Sequence, residues 1–314
     1  MNDTIEKILY KNNSSSIEIK AEIFLFRIKD RVNESLAHLK INYLKYNRFE
    51  LAVDFIDNHH SDAVKADFVQ LQGVGYYPAI ETEMELDYSI KHALIGSYKA
   101  SFSDLRRALE LSVTSIYLTS NQSDQKKAIE WINSCSDTPF FSKMLDKLSK
   151  EKRFKDFNDK YEWVKNLKQF YWNLSNFSHN KGRLNGYQQL NKISHRARGT
   201  IDPSIKLETL AFFCDFYIKT VEEIVIMLAL YNPVILVGLP LDEKFGLNPP
   251  ASGFYNDHQS DLIHKLIPDQ FKQYFIDIAN NDEDIKCIIE WINSRPDLTD
   301  EDFEEQRRHM DELF

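Results

Sequence analysis

Cysteine is scarce in this chain: Cys135, Cys214 and Cys287 are the only three in 314 residues. Odd in number, widely spaced and never in a Cys-x-x-Cys pair, they exclude a zinc cluster made of cysteines and suit a reducing compartment. Also missing are a Gly-rich phosphate loop, a Gly-x-Ser-x-Gly elbow, a His-Glu-x-x-His pair and a Rossmann glycine fingerprint. The common signatures of nucleotide-binding, esterase and metalloprotease sites are therefore absent, and no cofactor is expected. Long hydrophobic runs are lacking too. The most apolar stretch, "IVIMLALYNPVILVGLPL" from Ile224 to Leu241, carries Asn232-Pro233 in its middle. It reads as a buried helix ending at Asn232, so no membrane partner is expected. The opening residues, "MNDTIEKILYKNN", have no apolar core with a small-residue cleavage site, which makes the cytoplasm the expected compartment.

What the chain does have is apolar material at helical spacing. Hydrophobic residues make up 43% and aromatics 13%, enough for one large core or two modest ones. From Leu86 to Ile116 apolar and small residues recur at steps of three and four, which predicts one long helix with a face open to close approach. Further helices are read from Gln125 to Ser134, from an Asp137-Thr138-Pro139 cap to Lys150, from Phe154 to Asn180, and from Asp202-Pro203 to Asn232. Residues 86–232 thus read as an antiparallel helical bundle. Before it, residues 1–85 form an N-terminal segment. There the alternations Ile17-Ile19-Ala21-Ile23 and Ile80-Thr82-Met84-Leu86 fit short strands as well as helices, the second leaning to helix. After it, residues 233–256 are a connector dense in Pro and Gly, and residues 257–314 a helical extension with an acidic tail. The expected class is mainly α. The hexapeptide Ile-Glu-Trp-Ile-Asn-Ser occurs at Ile129–Ser134 and Ile289–Ser294, but its flanks do not match, so it marks two similar helix ends or a coincidence rather than a repeat.

The formal net charge of -9 argues against a surface made wholly for nucleic acid, so any anion site has to be local. One locality is basic: Lys181, Arg183, Lys192, His195, Arg196 and Arg198, with Tyr187 available to stack on a base. That composition suits RNA or a nucleotide. Its alternative is a solvated interhelical loop whose cations pair with nearby acids. A second cluster, Asp54, Asp57, His59, His60 and Asp62 in "DFIDNHHSDA", has residue types that can hold a divalent metal. Adjacent histidines seldom face one ion, so a solvated polar loop is expected there and no metal site.

Just ahead of the basic residues, Asn173, Asn176 and Asn180 share one helix face with His179 beside them, while Phe170, Leu174 and Phe177 hold the other. Such polar groups either satisfy partners in the bundle or serve chemistry, and a histidine there can move protons near neutral pH. The string "SDLRRALELSVTSIYL" on one long helix, followed by "FYWNLSNFSHNKG" on a later one, resembles the HEPN superfamily. These are helical bundles widespread in bacterial toxins and antiphage defence, and the resemblance covers residues 86–232. It implies a homodimer and, in active members, a metal-independent RNA-cleaving site made by an Arg and a His on the late helix with four to six residues between them. The implied His is His179, with Asn176 close by. Trp172, Asn173 and Leu174 stand where the Arg should fall, so the cation comes from Arg106, Arg107 or Arg183, or the domain is non-catalytic. The spacing itself occurs only at Arg31 and His38, far upstream.

Three functional expectations follow. The first is a HEPN-like protein of a bacterial defence or stress system, binding RNA or a nucleotide through the basic loop without a standard catalytic motif. The second is a metal-independent endoribonuclease with His179 as general acid or base, supported by Asn176 and Arg107. The third is a structural or adaptor protein acting through contacts with a protein partner of a defence system.

Overall fold

The computed structural model describes residues 16–64, 74–120, 125–178, 208–247 and 253–313. Among these, every regular element is helical, and the chain is mainly α. In chain order the helices are α1 (Ser16–Asn42), α2 (Tyr46–Asn58), α3 (His60–Ala63), α4 (Tyr76–Leu94) and α5 (Tyr98–Thr119). There follow α6 (Gln125–Ile132), α7 (Phe141–Leu148), α8 (Lys152–Tyr161), α9 (Trp163–Ser178) and α10 (Glu208–Tyr231). A 3-10 turn at Pro233–Leu236 leads to α11 (Leu241–Phe245), α12 (Asp257–Leu266), α13 (Asp269–Asn281), α14 (Glu283–Asn293) and α15 (Asp300–Leu313).

Both alternating stretches are helical, which removes the strand alternative. On α4, Thr82, Leu86, Ser89 and Ala93 are buried while Tyr77, Ile80, Met84 and Tyr88 are exposed. Burial thus follows a period of three to four rather than two, as the helix-forming Glu and Met residues favour.

Two helices read as continuous are broken. The run from Leu86 to Ile116 divides at Gly96, which takes φ 81. The amides of Gly96 and Ser97 reach back to the carbonyls of Ala93 and His92 at 2.9 and 2.7 Å, the closing pattern of a helix ended by a left-handed residue. The run from Phe154 to Asn180 divides at Glu162, φ 51, whose amide closes onto Asn158 at 2.8 Å while the Asn158 side chain accepts from Val164 at 2.9 Å. Asp137 does not cap α7. The residue before that helix is Phe140, with no side-chain cap, and Thr138 instead accepts from the Trp131 indole at 2.9 Å. The predicted start at Asp202-Pro203 lies outside the described residues.

The chain clusters into two compact units. Unit 1 takes residues 1–46, 86–106 and 172–216. Its described parts are α1, the second half of α4, the first turns of α5, the end of α9 and the start of α10. Ser35 donates to the Leu94 carbonyl at 2.9 Å, and Tyr43 and Lys45 both reach Asp215 at 2.9 Å. Unit 2 takes residues 47–85, 107–171 and 217–314. Within it α4 and α5 run antiparallel, because the bonded pairs Gly75–Ser115, Thr82–Ser112 and Glu85–Arg107 occur in opposite order along the two helices.

The core of unit 2 gathers Phe157, Trp163, Phe271 and Phe275, with Arg48 forking onto Glu222 and donating to the last carbonyls of α12. In the described part of the Pro- and Gly-rich stretch after Asn232, Val234, Leu239 and Leu241 share an apolar cluster with Ile285 and Ile292. Both copies of the repeated hexapeptide end a helix, α6 and α14. Ser134 turns left-handed at φ 57, whereas Ser294 stays right-handed at φ -73.

Candidate functional site

The last turns of α9 carry the polar residues singled out by the sequence. Trp163, Leu167, Tyr171, Leu174 and Phe177 are buried along one stripe. Helical rotation then leaves Trp172 exposed and Asn173 and Asn176 half-buried. His179, Lys181, Arg183, Lys192, His195, Arg196 and Arg198 lie outside the described residues.

The residues flanking that basic stretch are described, and they meet. Phe177, near the end of α9, and Phe212, in the first turns of α10, have ring centroids 5.8 Å apart. Both pack on Phe102 of α5, at 4.5 and 5.9 Å, and Phe216 sits edge-on to Phe102 and Phe177 at 5.4 and 5.5 Å. Aromatic pairs in such arrangements contribute about 0.5–1.5 kcal/mol each beyond area burial. Both ends of the basic stretch therefore spring from one packed aromatic base in unit 1.

Arg107 is committed to Glu85. Nε donates to Oε1 at 2.8 Å, and the terminal nitrogen lies 2.8 Å from Oε2 as an ion pair. Arg106 is half-buried. The upstream pair with the family's spacing has separate partners: Arg31, 3% exposed, donates to the Tyr98 hydroxyl at 3.2 Å, whereas His38 faces Asn42 at 3.2 Å.

The "DFIDNHHSDA" cluster is not a solvated loop. Its residues end α2 and form α3, and each polar group goes its own way. Asp54 accepts from Asn58 at 2.9 Å, buried His60 pairs with Glu83 at 3.1 Å, and the His59 carbonyl accepts from the buried Tyr255 hydroxyl. Among the described residues no three His, Cys, Asp or Glu side chains converge as metal ligands.

Unit 2 holds a cleft of about 730 Å³ lined by Arg153, Asp156, Lys160, Tyr274, Asp282 and Asp284 among others. Two of its cations, Arg153 and Lys160, are already engaged. Arg153 grips Asp282 at 2.7 and 2.8 Å and Asp284 at 2.6 Å, and Lys160 lies over the Tyr161 and Tyr274 rings. Burial, then the charge of Asp156, pushes the Tyr274 phenol up to about 12.

Sequence reasoning missed a pair in unit 1. His92, in the last turn of α4, places Nδ1 2.6 Å from Oδ2 of Asp104 on α5. The Asp104 side chain is 2% exposed and the His92 side chain 39%. An ionised carboxylate only accepts, so beside an ionised Asp104 the ring proton sits on Nδ1. Among the described residues Nε2 has no hydrogen-bond partner. On an unbroken helix twelve residues span about 18 Å, so no spacing rule could have joined these two. The only signal was Gly96, the residue that turns the chain between them.

No protein-family model matches the chain, and no curated protein or solved structure matches it either. No helix among the described residues is long and apolar enough to cross a membrane.

Proposed function

We propose that this chain is a HEPN-like helical protein of a bacterial defence or stress system that binds RNA or a nucleotide phosphate as a homodimer. The observation that carries the reading is the charge of the stretch between α9 and α10: six Lys and Arg against the single Asp202, in a chain of net charge -9. Cations gathered this way release counterions from a phosphate backbone, and Tyr187 supplies a face for a base. The shared aromatic base of Phe177, Phe212 and Phe102 supports it by presenting both ends of the stretch from one place. The test is retardation of a mixed pool of end-labelled RNA by the purified chain in the presence of chelator. The triple variant Arg183→Ala, Arg196→Ala, Arg198→Ala is expected to lose it. Equal retardation by both proteins would refute the reading.

A specific observation favours an adaptor role as the second reading. In unit 2, Tyr77, Ile80 and Met84 are exposed on one face of α4, the Tyr77 ring contacts Trp131 at 6.4 Å, and Ile129 and Ile132 are exposed on the same short α6. An apolar face of this kind marks a protein contact when it is contiguous. Absence of RNA retardation, with loss of self- or partner association in a Tyr77→Ser, Met84→Ser variant, would select it.

A further inference from the structure

We propose that α1 docks two copies of this chain to each other in antiparallel orientation. Between Ile17 and Asp30 no described side chain of that helix is buried. Yet Ile17, Phe24, Leu25, Ile28, Val32 and Leu36 recur at helical steps and form one apolar stripe. Ile17 is 78% exposed, Phe24 47%, Leu25 66% and Leu36 39%. The stripe runs for about 29 Å at 1.5 Å per residue. The second half of the helix is anchored on the adjoining face, where Arg31, Ser35 and Leu39 are buried, Arg31 donating to the Tyr98 hydroxyl and Ser35 to the Leu94 carbonyl. That anchor stops the helix from rolling the stripe inward. A contiguous apolar side left in water marks a contact surface.

Charge selects a second copy as the cover. Lys20 and Glu34 flank the stripe on one side, Glu22 and Lys29 on the other. The sign therefore reverses along each flank, which is what antiparallel self-pairing needs. A two-fold axis crossing α1 near Phe26 sets Lys20 beside the partner subunit's Glu34, and Glu22 beside the partner subunit's Lys29. Flanking charges of this kind fix the choice of partner and its orientation. Two helices in contact over about 29 Å bury on the order of 1,000 Å² in total, the lower bound of a specific interface. That size suits a reversible dimer. Because α1 precedes residue 86, this contact is separate from any made by the residues that carry the family resemblance, and it does not rest on RNA binding.

The experiment is sedimentation equilibrium of the full chain without RNA, over a series from about 1 to 100 μM. The parent is expected to rise from the mass of one chain towards that of two. Phe24→Glu combined with Leu25→Glu is expected to weaken pairing by about 10-fold or more, with the urea midpoint unchanged because neither side chain is buried. Lys20→Glu is expected to weaken it about 3-fold or more, and adding Glu34→Lys to restore it. A parent that stays a single chain throughout would overturn the proposal together with the homodimer of the reading above. Pairing at parent strength by the Phe24→Glu, Leu25→Glu variant would overturn the α1 contact and leave the homodimer standing, more so if Tyr77→Ser with Met84→Ser abolished it. Failure of Glu34→Lys to restore pairing would overturn the antiparallel arrangement.

Discussion

His92 and Asp104 are twelve residues apart in the chain, and their side chains meet at 2.6 Å because the helix that would have separated them turns back at Gly96. The positive φ of 81 at Gly96 is one that an L side chain adopts at a cost of about 1–2 kcal/mol. Gly96→Ala is therefore expected to lower stability by about that amount and to disturb the His92–Asp104 pair, read as a fall in the urea midpoint. An unchanged midpoint would show that the turn relaxes without strain.

RNA affinity is expected to depend on salt through the basic stretch. Removing three cations with Arg183→Ala, Arg196→Ala and Arg198→Ala is expected to shallow the slope of log affinity against log salt by roughly 2, at about 0.7 per phosphate contact on single strands. Titrations at several salt concentrations measure it. A parallel line displaced downward would place the contacts elsewhere.

The buried Glu223 is satisfied on both oxygens, by the Trp163 indole at 2.7 Å and by Lys219 at 2.5 Å. Trp163→Phe leaves one carboxylate oxygen without its donor, an expected loss of about 1–3 kcal/mol on top of packing. Pairing it with Glu223→Gln is expected to cost less than the sum of the two single changes, which a double-mutant cycle on unfolding free energies tests. Strict additivity would contradict the coupling.

Arg153 ties α8 to the start of α14 through Asp282 and Asp284. Burial would raise the Asp282 carboxyl, but the Arg153 hydrogen bonds and charge, helped by the Asp284 and Ile285 amides, outweigh it and hold the group below its usual range. A carboxylate depressed in the folded state contributes stability above its unfolded pKa, and that contribution disappears as pH falls through the folded value. The stability gap between the parent and Arg153→Met is thus expected to be full near neutral pH and to shrink below about pH 4. Urea midpoints across that range measure it, and a gap unchanged in acid would assign the loss to packing alone.

Local pattern was enough for the class. Spacings of three and four residues mark a face wherever the backbone is helical, so the buried stripe of α9 and the end of α10 before Asn232-Pro233 were legible in the residues themselves. Composition likewise isolated the basic run between Ser178 and Glu208 from an acidic remainder. Periodicity does not report where a helix stops and restarts with the same face inward, and so it passed over Gly96 and Glu162, whose left-handed conformations create α4, α5, α8 and α9 as separate helices. Nor does it say which distant groups a buried charge will find. Arg107 with Glu85, His60 with Glu83, Trp163 with Glu223 and His92 with Asp104 were chosen by packing, because a polar atom taken out of water must bond to whatever the tertiary fold sets beside it.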